Sequence, residues 1–336
     1  MERHEPMEGH GAMEGHGAME GHESMTAPLT AMATTMEGMP EDLTRILADW
    51  DPVRAGAARI AGRRVFVVGT GTSWHAANQG VCFLRQAGAE AWAVQAADAA
   101  LWGPRATPGD ALVVLTHRGT KRYTSEVLAR AGAESVPTVV IGGQNAPGID
   151  IETVPQETAG TFTASHLGAL ARLAQLAVTL GAELGEIEAI PEAVGLALGA
   201  SRTVEVPERG LDFVGTGPNA WTAAEGALKV REAAHVFAAG WATEQLMHGP
   251  AWALGPRDAV VCLDGGGPGA ERLTELASAI EARGARVHRF AAPELGEALS
   301  VFPLTVAVQR IALDFSRQLG TDPDKVRPPE WDSIEL

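Results

Sequence analysis

From Pro40 onward, short apolar runs alternate with stretches of helical periodicity. Pro40-Glu-Asp-Leu-Thr-Arg-Ile-Leu47 begins a helix. Arg64-Val-Phe-Val-Val-Gly69 is a buried strand that runs into the tight turn Gly69-Thr-Gly-Thr-Ser73. A helix follows over Ala76–Gln86, a strand over Ala111–Thr116, a helix over Thr124–Ala133 and a strand over Pro137–Gly142. Strands that alternate with helices predict a parallel sheet covered on both faces. The pattern then returns: Leu211-Asp-Phe-Val-Gly-Thr-Gly217 comes 146 residues after the first Gly-Thr-Gly. Ala259–Asp264 and Ala285–Phe290 supply the matching second and third strands. The expectation is an α/β chain of two tandem lobes, residues 39–190 and 191–319, each a three-layer α/β/α unit. Helical segments near Glu186–Pro191 join them, and a tail occupies 320–336.

Residues 7–24 are three tandem hexapeptides, MEGHGA, MEGHGA and MEGHES, and His10, His16 and His22 recur every six residues behind His4. Their apolar content is too low to build a core, so disorder is expected over 1–38. The histidines allow adventitious binding of a soft divalent metal, but a solvated tail, or a start at Met25, accounts for them more simply.

The whole chain has 336 residues, enough for two ordinary domains, with 46% hydrophobic and 20% charged residues. A net charge of −16 makes nucleic acid and anionic membrane poor partners. The two cysteines, Cys82 and Cys262, imply no disulfide framework and fit a reducing, cytoplasmic setting. No run of 18 uncharged apolar residues predicts a membrane span, and no secretory signal is expected.

The chemistry concentrates in Glu225-Gly-Ala-Leu-Lys229-Val-Arg-Glu232 and in Gln245-Leu-Met-His248-Gly-Pro250, whose histidine lies 16 residues after Glu232. On a helix, Glu225, Lys229 and Glu232 share one face. A carboxylate and an imidazole suit proton movement near neutral pH, and the ammonium keeps the carboxylates ionised. These two motifs and their separation resemble the sugar isomerase family, specifically the isomerase half of glucosamine-6-phosphate synthase, the glucosamine-phosphate deaminases and the fructosamine-6-phosphate deglycases. The internal duplication extends the resemblance over residues 40–325.

The resemblance implies that Glu232 moves a proton between C1 and C2 of an open-chain sugar. His248, donated by a neighbouring subunit, would serve ring opening. Glu225 would orient that histidine or bind sugar hydroxyls, and Lys229 would tune Glu232. The implied partners are a small sugar or sugar phosphate and a second copy of the chain in a homodimer, with no cofactor and no metal.

In open parallel sheets, ligands bind past the carboxyl ends of the strands. Gly71, Thr72 and Ser73 in the first such loop correspond to the family's sugar-phosphate pocket. A dinucleotide fingerprint is the rival reading, but Trp74 stands where its third glycine belongs, and Gly215-Thr-Gly-Pro-Asn-Ala220 is a weak match without the expected acid. The second loop departs from the family's hydroxyl-rich phosphate cradle. Thr116, His117, Arg118, Gly119, Thr120 and Lys121 put two cations where hydroxyls are usual, so an anionic group is still expected there, and phosphate is no longer assured. Thr158, in Gln156-Glu-Thr-Ala-Gly-Thr161, is a third binding candidate, with turn and cap formation an equal account.

The tail Gly320-Thr-Asp-Pro-Asp-Lys325-Val-Arg-Pro-Pro-Glu-Trp331 resembles the family's terminus, which is expected to close the site. Trp331 stands where the synthase has its Schiff-base lysine. No cysteine follows Met1, so glutamine-dependent synthesis is not expected. A deaminase or deglycase that releases an amine is the expected activity. A plain aldose–ketose isomerase and a non-catalytic sugar-phosphate-binding protein are the alternatives.

Overall fold

The computed structural model describes residues 29–331. The first part is α1 (Ala31–Glu37), α2 (Met39–Ala48), α3 (Asp51–Ile60), β1 (Val65–Gly69), α4 (Thr72–Gln86), β2 (Ala91–Gln95), α5 (Ala96–Leu101), β3 (Ala111–Thr116), α6 (Arg122–Ala133), β4 (Thr138–Gly142), β5 (Ile151–Glu152) and α7 (Ala164–Thr179). Then come α8 (Ile190–Gly199), β6 (Gly210–Gly215), α9 (Asn219–Ala234), β7 (Ala238–Ala242), α10 (Thr243–Met247), β8 (Asp258–Asp264), α11 (Ala270–Ala282), β9 (Arg286–Ala291), α12 (Gly296–Leu299) and α13 (Val301–Leu319). They form two parallel sheets, in strand orders β2-β1-β3-β4-β5 and β7-β6-β8-β9.

Alternation along the central strands explains why each sheet is covered twice. In β1, Val65 and Val67 join the large central core, whereas Phe66 and Val68 pack into a separate cluster with Val127 and Ala131 of α6. In β8, Ala259, Val261 and Leu263 face the central core, and Val260 and Cys262 face Leu273, Leu276 and Ile280 of α11. The central core is continuous from Val67 to Phe213, so one apolar body carries both sheets. A buried polar chain also ties α4 to α9. Gln79 donates to Thr222 (2.9 Å), Thr222 to Asn219 (3.0 Å), and Asn219 to Ser300 (2.8 Å).

Two glycines aim the loops that carry the site. A Cβ on Gly69 would stand 2.4 Å from the carbonyl oxygen of Ser73, and one on Gly215 would stand 2.4 Å from that of Asn219. Each strand can therefore turn straight into its helix only because a hydrogen occupies that position.

The structure departs from the sequence expectation in three places. The repeats at 7–24 lie outside the described residues, but Ala31–Glu37, expected to be disordered, is helical. Its apolar face, Met32, Ala33 and Met36, is buried. The Asp324 carboxylate accepts from its first amides, Ala31 N at 2.7 Å and Met32 N at 2.9 Å. Thr30 is the local cap, its side-chain oxygen accepting from Ala33 N at 3.2 Å, and the Asp324 carboxylate, 292 residues downstream, adds a tertiary one. Secondly, α4 begins at Thr72 rather than at Ala76, which places Thr72 and Ser73 on its first turn. Thirdly, β2 and β7 escaped the reading because they are short, exposed in part and rich in alanine. Among the described residues, no single helix is long and apolar enough to cross a membrane.

Candidate functional site

The carboxyl ends of β1, β3 and β4, the start of α7, the face of α9 and the tail enclose a cavity of about 470 Å³. That volume lies within the range of small-molecule pockets. Thr72 and Ser73, His117 and Arg118, and Lys229 and Glu232 come from three separate elements to line it.

The helical spacing in α9 does put Glu225, Lys229 and Glu232 together. Lys229 Nζ lies 2.5 Å from Glu232 Oε2 and 3.6 Å from Glu225 Oε1. Lys229 and Glu225 are fully buried, while Glu232 is partly open to the cavity. Burial works against the Lys229 charge, but Glu232 and Glu225 outweigh it and raise its pKa. For Glu225, burial alone would raise the pKa. The Lys229 ammonium and the hydrogen bond from His75 hold the carboxyl well below the usual range.

Glu225 is not where the expectation put it. It does not border the cavity, and the structure pairs it with His75 rather than His248. His75 Nδ1 is 2.7 Å from Glu225 Oε2, and Thr72 Oγ1 donates to Oε1 at 3.1 Å. An ionised carboxylate only accepts, so His75 carries its proton on Nδ1. Fully buried and outside the cavity lining, Glu225 does not reach a sugar hydroxyl there. Its observed contacts hold Thr72 and Lys229 in place.

His248 also lies outside the cavity of its own chain. Its side chain is 75% exposed and contacts Glu244 at 3.2 Å. Gly119 and Thr158 do not line the cavity either. Gly119, at φ +72°, shapes the loop and donates to Thr116 Oγ1 at 3.2 Å, and Thr158 is exposed. The expected residues that do line it are Gly71, Thr72, Ser73, Thr116, His117, Arg118, Thr120, Lys121, Lys229 and Glu232.

The β3–α6 loop is organised by Glu157, which sequence reasoning passed over. The Glu157 carboxylate caps α7, accepting from Thr163 N and Ser165 N at 2.8 Å each. Its amide donates to His117 Nε2 at 2.8 Å, and its carbonyl accepts from Arg118 at 3.0 Å. Arg118 also lies over the Phe162 ring, 5.1 Å from the centroid. Arg327 brings a third cation from the tail. Burial, then Arg118 and Arg327, lower the Lys121 pKa. Cations crowded in this way repel one another, and an anion in the cavity would relieve that repulsion.

The residue most clearly missed is His166, on the first turn of α7. It lines the cavity and is buried. Burial first, with Lys229 and His75 adding to it and Glu225 opposing, lowers its pKa from 6.5 to about 4. The unfolded imidazole binds a proton as pH falls through 6.5, but the folded one does not until about 4. Stability from this group is therefore present above pH 6.5 and lost as pH falls towards 4, by about 3 kcal/mol in all. In urea titrations from pH 7 to pH 4.5, His166→Phe should flatten this decline. A decline as steep as that of the unmodified chain would refute the assignment.

No protein-family model matches the chain. Over 317 residues it is 26% identical to a glutamine–fructose-6-phosphate aminotransferase (isomerizing) of Thermococcus kodakarensis, covering 82% of this chain and 53% of that protein. It is 27% identical over 303 residues to the Pyrococcus horikoshii protein of the same name, covering 79% and 50%. The chain thus spans about half the length of these relatives. Among solved structures, a tagatose-6-phosphate ketose/aldose isomerase from Escherichia coli superposes with a TM-score of 0.76 at 15% identity, covering 90% of this chain and 100% of that one. A glucosamine-6-phosphate deaminase from Thermotoga maritima gives a TM-score of 0.75 at 19% identity, covering 89% and 98%. Sequence and fold agree on the resemblance to the sugar isomerase family.

Proposed function

We propose, from this likeness to the sugar isomerase family, that the chain is a sugar-phosphate isomerase-type enzyme that releases an amine from an amino sugar or fructosamine. Glu232 is the base. It takes a proton from one of C1 and C2 and returns it to the other. For a 2-amino aldose, the transfer from C2 to C1 yields a 2-imine, which water hydrolyses to the ketose and ammonia. Lys229, whose ammonium lies 2.5 Å from Glu232 Oε2, stabilises the negative charge that develops during the transfer. Arg118, Lys121 and Arg327 hold the substrate's anionic group.

The observation that carries this reading is Glu232, paired with a buried ammonium at 2.5 Å and facing a cavity with Arg118 and Lys121 in its wall. His248 is proposed to act in the pocket of a second copy, within a homodimer. Its exposure and its place outside the lining of its own chain's cavity support that role. The lysines that line the cavity, among the described residues, are Lys121 and Lys229. Lys325 contacts Asp322 at the surface, so the tail offers no evident Schiff-base lysine, which supports amine release over synthesis.

A screen of glucosamine 6-phosphate and fructosamine 6-phosphates for released ammonia or amine tests the proposal. Aldose–ketose interconversion of fructose 6-phosphate, with no ammonia or amine from the amino sugars, would replace it with plain isomerisation. Arg118→Ala should raise KM for an anionic substrate about tenfold to a hundredfold and leave that of its uncharged analogue nearly unchanged. Equal effects on both would remove Arg118 from the anion site.

A further inference from the structure

The cavity's cationic groups, Arg118, Lys121, Lys229 and Arg327, are all hydrogen-bond donors. They can hold an anion, but they cannot receive the protons of sugar hydroxyls. Glu232 and lining hydroxyls such as those of Ser73 and Thr120 can accept. The structure contains a further acceptor, His166.

The Nδ1 of His166 lies 3.3 Å from the backbone oxygen of Thr72. A carbonyl oxygen cannot donate, so Nδ1 carries the ring proton in this contact and Nε2 presents a lone pair. That Nε2 is buried and has no hydrogen-bond partner. Buried polar atoms without a partner are rare, and one on a cavity-lining ring calls for a partner from the cavity. The ring is also kept uncharged by its burial, which preserves the lone pair at neutral pH. Its neighbours place it at the reacting end of the pocket. Thr72 shares the hydrogen-bonded group of Glu225 and His75, and Lys229 joins that group to Glu232.

We propose that His166 Nε2 accepts a hydrogen bond from a hydroxyl of a polyhydroxy substrate whose anionic group lies against Arg118 and Lys121. His166 would then select for that hydroxyl. This rests on the cavity being the sugar-phosphate site, as read above, and does not require the chain to release an amine.

The test compares the chain with His166→Phe, which keeps a planar ring and removes both nitrogens, and His166→Gln, whose amide oxygen can accept. Calorimetric binding is measured for fructose 6-phosphate, glucosamine 6-phosphate, their mono-deoxy analogues and inorganic phosphate. His166→Phe should bind the sugar phosphates about tenfold more weakly and inorganic phosphate as before. His166→Gln should recover part of the loss. One mono-deoxy analogue should bind the original chain about tenfold more weakly than its parent, yet bind His166→Phe as well as the parent does, since the missing hydroxyl and the missing acceptor are partners. Unchanged sugar-phosphate binding in His166→Phe would overturn the assignment, as would an equal loss for inorganic phosphate, which would mark a distorted pocket. A chain that binds no sugar phosphate would overturn it together with the functional reading. Tight, His166-dependent binding without turnover would sink the enzymatic reading and leave the hydroxyl contact standing.

Discussion

Glu232→Gln is expected to lower turnover by about 10²–10⁴-fold, the usual contribution of a positioned acid–base group. The amide fills the same space and can still take a hydrogen bond from Lys229, but it cannot accept a proton from carbon. Sugar-phosphate affinity should change by less than about tenfold, because the anion is held elsewhere, at Arg118 and Lys121. Steady-state rates and calorimetric Kd values on the same preparations separate the two quantities. A variant that turns over within about threefold of the original would remove Glu232 as the base. So would a loss confined to binding.

Lys229→Met should instead damage the fold. Its ammonium is buried between two carboxylates, 3.6 Å from Glu225 and 2.5 Å from Glu232. Without it, Glu225 is left fully buried, with its hydrogen bonds from Thr72 and His75 and no adjacent ammonium. Breaking a buried ion pair from one side typically costs about 3–5 kcal/mol, because the stranded charge has lost its solvent as well as its partner. At the size of this chain, that corresponds to a melting temperature lower by roughly 5 °C. Adding Glu225→Gln removes the stranded charge, so the double variant should melt above the single one. Equal melting of the single variant and the original would show that the Lys229 charge contributes no net stability. A double variant no better than the single one would point to lost packing.

These two residues also mark what the linear chain discloses. The i, i+4, i+7 placement of Glu225, Lys229 and Glu232 is a property of one helix, so their common face was legible. The strands β1, β3, β4, β6 and β8 were legible for a similar reason, and the half-exposed edge strand β9 was read as the third strand of the repeat. Buried parallel strands are apolar on both faces and read as continuous runs between turn signals. By contrast, β2 and β7 lie at sheet edges with mixed, half-exposed residues, and their pairing is decided by the neighbouring strand. The helix at Ala31–Glu37 had a nearby cue in its N-cap Thr30, which the reading passed over, whereas the Asp324 carboxylate that also caps it comes from the far end of the chain.

The residues alone determined that this chain builds parallel α/β structure, and that an acid, an ammonium and a second acid share one helical face. Both follow from the regular spacing of side chains within an element. Only the folded chain decided that Glu225 faces His75, that Glu157 ties the cationic loop to the start of α7, and that His166 borders the cavity. Those pairings join residues as much as 150 positions apart, and burial and packing, rather than sequence spacing, set them.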